Sequence, residues 1–191
     1  MANASTTGFG LKPIKMVGQS DENMGLAEFP VAASATAMTF QDLIVMAATG
    51  TAAVAAAGTL HALGSLNGVS YTDATTGKPT WRNNLAGSNT ATDIKALINS
   101  NPLQMYEVRS NNSGASAQTD VGNTADLSYS VGVTPNFVSK TTLDDSTLNT
   151  TTQQLKIIGL SRDPDNQDLT AAGVVWRVLL METFDLAVTG V

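Results

Sequence analysis

The apolar residues of this chain come in short runs, each closed off by glycine, proline, asparagine or aspartate, and none forms a helix-length stripe. An isolated helix shorter than roughly 12 residues is marginal in water. The pattern therefore predicts many short strands, and a domain built from them closes as a small β-barrel or a sandwich. The most compact run is Leu43-Ile44-Val45-Met46. It is followed by a turn at Thr49-Gly50-Thr51, a weak strand over 52–56, a break at Gly58 and a strand over 60–66. Asn67-Gly68 reads as a hairpin turn before Val69-Ser70-Tyr71. Thr76-Gly77-Lys78-Pro79 reads as another turn, after which Thr80-Trp81 restarts the chain.

The Ala-rich run 31–38 fits either a helix or an extended segment. Residues 93–109 fit a short helix capped by Asp93, or two strands around Asn99-Ser100-Asn101-Pro102. The hairpin is preferred, because the helix would span fewer than about two turns. Residues 110–120 and 139–152 are polar loops. Ala125 to Val131 alternates, with Leu127, Tyr129 and Val131 on one face. The clearest strands are Gln154 to Leu160 and Val174 to Leu180, the latter continuing to Val188. No fixed-period repeat marks a solenoid or propeller.

Before these strands the reading changes. Residues 1–20 form a polar arm carrying Phe9, Leu11, Pro13, Ile14 and Val17, and Pro13 makes it an extended arm or edge strand. Residues 21–30 are a loop ending at Pro30, and 21–191 form one β-rich domain. A chain of 191 residues buries about 70% of its unfolded surface, so it folds without disulfides. It has no cysteine, which removes thiolate chemistry and Cys-type zinc sites.

Composition excludes several partners. Ten Lys and Arg stand against 16 Asp and Glu, for a net charge of −6, and the basic residues are scattered singly. Neither nucleic acid nor an anionic membrane surface suits such a chain. The apolar stretch Leu43 to Leu66 is broken by Gly50, Gly58, Gly64 and His61, which does not fit a transmembrane span. Met1 to Gly8 lacks the features of a signal peptide, so synthesis in a cytoplasm is expected.

No group of residues reads as catalytic. His61 is the sole histidine, set between Leu60 and Ala62, and reads as structural. Asp163-Pro164-Asp165-Asn166-Gln167-Asp168 begins like a calcium loop but has Gln167 and Asp168 at positions five and six and Val174 at twelve. It reads as a turn between strands. Asp144-Asp145 read as a solvated loop, and Gly8-Phe9-Gly10 lacks the strand and helix of a phosphate loop. Trp81, Trp176 and Phe184 read as core or interface anchors. The chain is thus expected to be no enzyme and to hold no cofactor or metal.

Several stretches together resemble head cement or decoration proteins of marine and freshwater tailed phages. They are Ala2-Asn3…Thr7-Gly8-Phe9-Gly10-Leu11-Lys12-Pro13, Tyr71-Thr72-Asp73…Gly77-Lys78-Pro79, Gln118 to Leu127, and Leu160-Ser161-Arg162-Asp163-Pro164-Asp165-Asn166. The likeness spans most of the chain in order, and 31–66 departs most. It implies a β-barrel on the outer surface of the virion head, with the major capsid protein as partner and self-association as a homotrimer. Phe9, Leu11, Pro13 and Ile14 of the arm would then fill pockets on the capsid, and removing residues 1–17 would abolish binding while leaving the fold. Two rival readings are a host-binding knob or tail appendage that holds a glycan at Trp81 or Trp176, and a metal-assisted hydrolase using Asp163, Asp165 and His61.

Overall fold

The run Leu43–Met46 forms a strand buried on both faces: Leu43 and Val45 enter one apolar cluster and Ile44 a second. Successive side chains of a strand point to opposite faces, so an unbroken apolar run marks the strand between two cores. The computed structural model describes residues 7–18, 25–113, 115–186 and 191. In chain order its strands are β1 (Lys12–Met16), β2 (Leu26–Pro30), β3 (Leu43–Met46), β4 (Ala52–Val54), β5 (Ala62–Thr72), β6 (Pro79–Arg82), β7 (Lys95–Asn99), β8 (Gln104–Arg109), β9 (Thr124–Ala125), β10 (Leu127–Ser128), β11 (Thr142–Leu143), β12 (Leu155–Leu160) and β13 (Val175–Leu180).

Among the described residues the fold is mainly β and sandwich-like, with antiparallel strand ladders and no closed barrel. One large sheet runs β1-β8-β13-β12-β9, and a second runs β2-β7-β5-β3-β4, with β6 also paired to β5, while β10 and β11 form a separate two-stranded ladder. On the first sheet Val108 lies opposite Trp176, Tyr106 and Ile157 opposite Val178, and Leu155 opposite Leu180. These side chains meet Leu43, Val45 and Ala62 of the second sheet to form the inner core. Each large apolar side chain so buried contributes about 1.5–3 kcal/mol. The far face of the second sheet (Leu63, Leu66, Val69, Ala96 and Ile98) is covered by Val31, Met38, Leu85 and Ile94. The Ala-rich run 31–38 is thus a non-helical covering segment, held by mutual backbone bonds between Met38 and Leu85 (3.0 and 2.9 Å). Among the described residues no helix is long and apolar enough to cross a membrane.

Four sequence expectations need correction. Asn67-Gly68 makes no hairpin. It lies inside β5, where the register slips between Leu66↔Ile98 and Gly68↔Leu97 and leaves Asn67 as the extra residue of a bulge. The hairpin falls at residues 73–78, where the Asp73 carboxylate accepts the N–H groups of Thr75 (3.0 Å) and Thr76 (2.8 Å). Secondly, β7 and β8 form as strands but do not pair. The 100–103 connection carries the chain from one sheet to the other, and Asn101 Oδ1 accepts the Leu103 N–H across it at 2.8 Å. Thirdly, residues 26–30 are an edge strand paired to β7 and not a loop, while 21–24 lie outside the described residues. Fourthly, two strands end early. β13 stops at Leu180, before a 3-10 turn at Phe184–Leu186, and 187–190 lie outside the described residues. The alternating run from Ala125 ends at Ser128, leaving Val131 41% exposed.

The sheet edges share a feature. The outer strands β1 and β2 each contain a proline, Pro13 and Pro30, and the opposite edges β4 and β9 are only three and two residues long.

Among the described residues two carboxylates are buried. Asp42 Oδ2 accepts Thr39 N–H (2.6 Å) and Oγ1–H (2.8 Å), while Oδ1 has no hydrogen-bond partner. Asp145, in the pair expected to be solvated, is buried because the Ser110 hydroxyl bonds its carboxylate and Asn111 Oδ1 accepts its N–H. Burial raises the pKa of both above the usual 3.8. A raised value means that the fold holds the proton more tightly than the unfolded chain does. That contribution is full below the unfolded value and is lost as pH rises through the folded one. Asp42→Asn removes the titration and keeps an acceptor for Thr39. The variant is therefore expected to gain on the parent as pH rises from near 3.8 to about 7. Paired urea melts at both pH values check this, and a pH-independent difference would contradict it.

Candidate functional site

The residues expected to form the partner-binding arm are distributed by β1 into different environments. Gly10 N–H bonds Thr141 O and Leu11 N–H bonds Gln41 O at 2.8 Å, so the chain is anchored before the strand begins. Lys12 to Met16 then pair with Glu107 to Gln104 of β8 through a bulge at Ile14. Leu11 is fully buried in the inner core, and its carbonyl accepts the Ser65 hydroxyl at 2.6 Å. Pro13 and Ile14 are half-buried on the edge strand, and Phe9 is half-buried beside it. Residues 11–16 are therefore part of the sandwich, so removing 1–17 takes out a core side chain and a strand. The fold-preserving truncation expected above does not suit this architecture. Residues 1–6 and 19–20 of the expected arm lie outside the described residues.

Phe9 lines a cleft of about 390 Å³ with Lys12, Glu107, Ser161, Asp163 and Asp165. Glu107 Oε1 accepts the Ser161 hydroxyl at 2.6 Å, and Oε2 faces Lys12 Nζ at 3.5 Å. Asn166, 4% exposed, closes the wall by bonding both backbone groups of Val175 at 2.8 Å. Asp163 is occupied with its own turn: its carboxylate accepts the Asp165 N–H at 3.0 Å and its carbonyl the Asn166 N–H at 3.0 Å. The cleft thus offers hydrogen bonds and a mixed-charge wall, and its serine faces a carboxylate, with no histidine in the lining. His61 lies elsewhere, at the entry to β5, with its carbonyl bonded by Met46 N–H at 3.0 Å. Among the described residues no three His, Asp or Glu side chains are placed to hold a metal ion.

Six of the exposed apolar residues lie toward the end of the sandwich that carries the 100–103 connection, while Trp81, Val131 and Val133 are exposed as well. Val17 (43% exposed) bonds Leu103 (52%) through its backbone N–H, and Leu26 (49%) pairs with Asn99, which leads into the 100–103 connection. Leu60, Met181 and Phe184 lie exposed at the same end, where Ala62 N–H bonds Glu182 O at 2.7 Å. This end was not visible in the sequence, because its residues come from five separate segments and, apart from Leu26 at the start of β2, flank the strands instead of lying in them. Of the aromatic anchors, Trp176 is 1% exposed and belongs to the inner core, whereas Trp81 is 58% exposed on β6. The chain matches no family model, no curated protein and no solved structure.

Proposed function

We propose that this chain is a non-enzymatic structural protein that docks on the outer surface of a tailed-phage head and stabilises the junctions between capsomers, with the major capsid protein as partner and a homotrimer as the working form. The observation that carries this reading is the end of the sandwich at the 100–103 connection, toward which the strand registers place the exposed Val17, Leu26, Leu60, Leu103, Met181 and Phe184. Single exposed apolar residues are ordinary on a protein surface, but a group of them marks an interaction face. A rigid two-sheet body with one apolar end suits a protein that adds interface to a preformed shell. Each junction contact needs to bury only about 1,000 Å², and three copies acting together gain roughly 10²–10⁴-fold in avidity. The acidic net charge of −6 favours the outside of the shell over packaged DNA.

The experiment is a binding assay of the purified chain on purified heads, with copies per head counted by quantitative mass spectrometry. The chain is expected at many copies per head, retained through washing by the avidity of its several contacts. Val17→Glu combined with Leu103→Glu is expected to reduce binding at least about tenfold, because each places an unpaired charge in a desolvated contact. Its melting temperature should stay close to the parent's, since both sites are on the surface. Undiminished head binding by that variant, or no binding by the parent, would refute the reading.

A further inference from the structure

The second sheet extends past the part covered by the first, and there its surface forms a groove of about 400 Å³. The strand register sets its shape. Ser70 of β5 lies between Trp81 of β6 and Lys95 of β7, and in the next row Thr72 lies beside Pro79. Small hydroxyl side chains make the floor, with the indole on one wall and Lys95 and Asp93 on the other. The two walls are two strand spacings apart, roughly 10 Å between backbones, which admits a flat ring beside the indole.

The indole is held in place. A Cβ added at Gly68 would stand 2.8 Å from Trp81 Cζ2 and 3.0 Å from Cε2. One side of the ring therefore lies directly on the glycine of the bulge, while 58% of the residue stays exposed. An exposed tryptophan packed against a sheet presents an apolar ring with little motion left to lose on binding.

The opposite wall is polar and equally fixed. The Asp93 carboxylate accepts Thr72 N–H (3.0 and 3.1 Å) and Thr72 Oγ1–H (2.6 Å), and these bonds hold its pKa below the usual 3.8. An ionised carboxylate has about four acceptor positions, so capacity remains. Lys95 Nζ is engaged by Glu28 Oε2 at 2.9 Å and keeps further N–H donors. Donors and an acceptor side by side suit hydroxyl groups, which both give and take hydrogen bonds. With Asp93 and Glu28 set against the single Lys95, an anionic ligand is disfavoured.

From this arrangement we infer that the Trp81 groove binds a neutral glycan, one sugar ring stacking its C–H face on the indole while its hydroxyls bond Asp93 and Lys95. The groove opens beside Pro30 and Lys95, at the opposite end of β2 and β7 from Leu26 and Asn99. A chain docked by its apolar end would keep the groove open, so the inference goes beyond the docking role and does not depend on it.

The test uses the whole chain in solution without heads. Chitohexaose, cellohexaose, maltohexaose and mannohexaose are titrated by calorimetry and by tryptophan fluorescence, with sialyllactose as the anionic control. At least one neutral oligosaccharide is expected to bind with a Kd between about 10 µM and 1 mM, a range typical of shallow sites with few contacts. Trp81→Ala should weaken it about tenfold or more, Asp93→Asn should weaken it less, and Phe184→Ala at the apolar end should leave it unchanged. No neutral oligosaccharide bound at about 10 mM, or binding unaffected by Trp81→Ala, would overturn the inference. In a separate assay on purified heads, loss of binding by Trp81→Ala with no sugar bound would overturn it too, and would make the groove a protein contact.

Discussion

Leu11→Ala is expected to lower the unfolding free energy by about 2–5 kcal/mol, the range for emptying a well-packed leucine site. Leu11 is 0% exposed and packs in the same cluster as Leu43, Tyr106 and Trp176. Both of its backbone groups are fixed, the N–H to Gln41 O (2.8 Å) and the carbonyl to the Ser65 hydroxyl (2.6 Å). The backbone therefore cannot collapse into the space left by the lost methyl groups, which places the effect away from the low end of the range. Urea unfolding followed by the fluorescence of buried Trp176 measures it. A side chain on a free arm would leave stability within about 0.5 kcal/mol, so the measurement decides whether residue 11 belongs to the body of the protein or to a detachable extension.

The second large effect is expected at Gly64. This residue lies near the start of β5, opposite Ile44 of β3, with φ of +141°. A Cβ there would stand 1.9 Å from the Asn99 carbonyl oxygen and 2.8 Å from its carbon, both backbone atoms of β7. The same carbonyl accepts the Tyr106 hydroxyl from the other sheet at 2.8 Å. Gly64→Ala thus combines an unfavourable backbone conformation with a clash that only a shift of β7 can relieve, and that shift would break the bond joining the two sheets. Strain of about 1–3 kcal/mol adds to overpacking of about 1–3 kcal/mol, and the variant is expected to melt far below the parent or to accumulate unfolded. Dispersed proton spectra and a near-parental urea midpoint would show that β5 and β7 do not approach this closely.

The parts of the fold that could be read in the sequence are those decided by neighbouring residues. Leu43 to Met46 and Val175 to Leu180 announce themselves because strand burial repeats every second residue, or every residue when both faces are covered. Which sheet a strand joins depends on residues far away. Ile94 to Ile98 and Met105 to Val108 were therefore recognisable as strands but were paired with each other instead of with β5 and β13. Asn67-Gly68 misled because a bulge and a tight turn draw on the same residues, both needing a position free of Cβ bulk. Leu11 was hidden among Gly8, Gly10 and Lys12, since its burial comes from β3, β8 and β13. Trp176 sits in the alternating Val-Val-Trp-Arg-Val-Leu-Leu and Trp81 between Thr80 and Arg82, a difference that could have separated core from surface.

Pro13 and Pro30 have a consequence for how copies of this chain behave at high concentration. A strand at a sheet edge offers unpaired N–H and C=O groups to any other extended chain, and identical copies are the commonest extended chains in a cell making one product in quantity. Each proline lacks the N–H that a new ladder would require, Pro13 within β1 and Pro30 at the last residue of β2. With β4 and β9 too short to template a neighbour and β6 beginning at Pro79, backbone pairing between copies is disfavoured, and side chains decide what the protein joins. Restoring the missing donors with valine at both positions would supply the starting material for fibres.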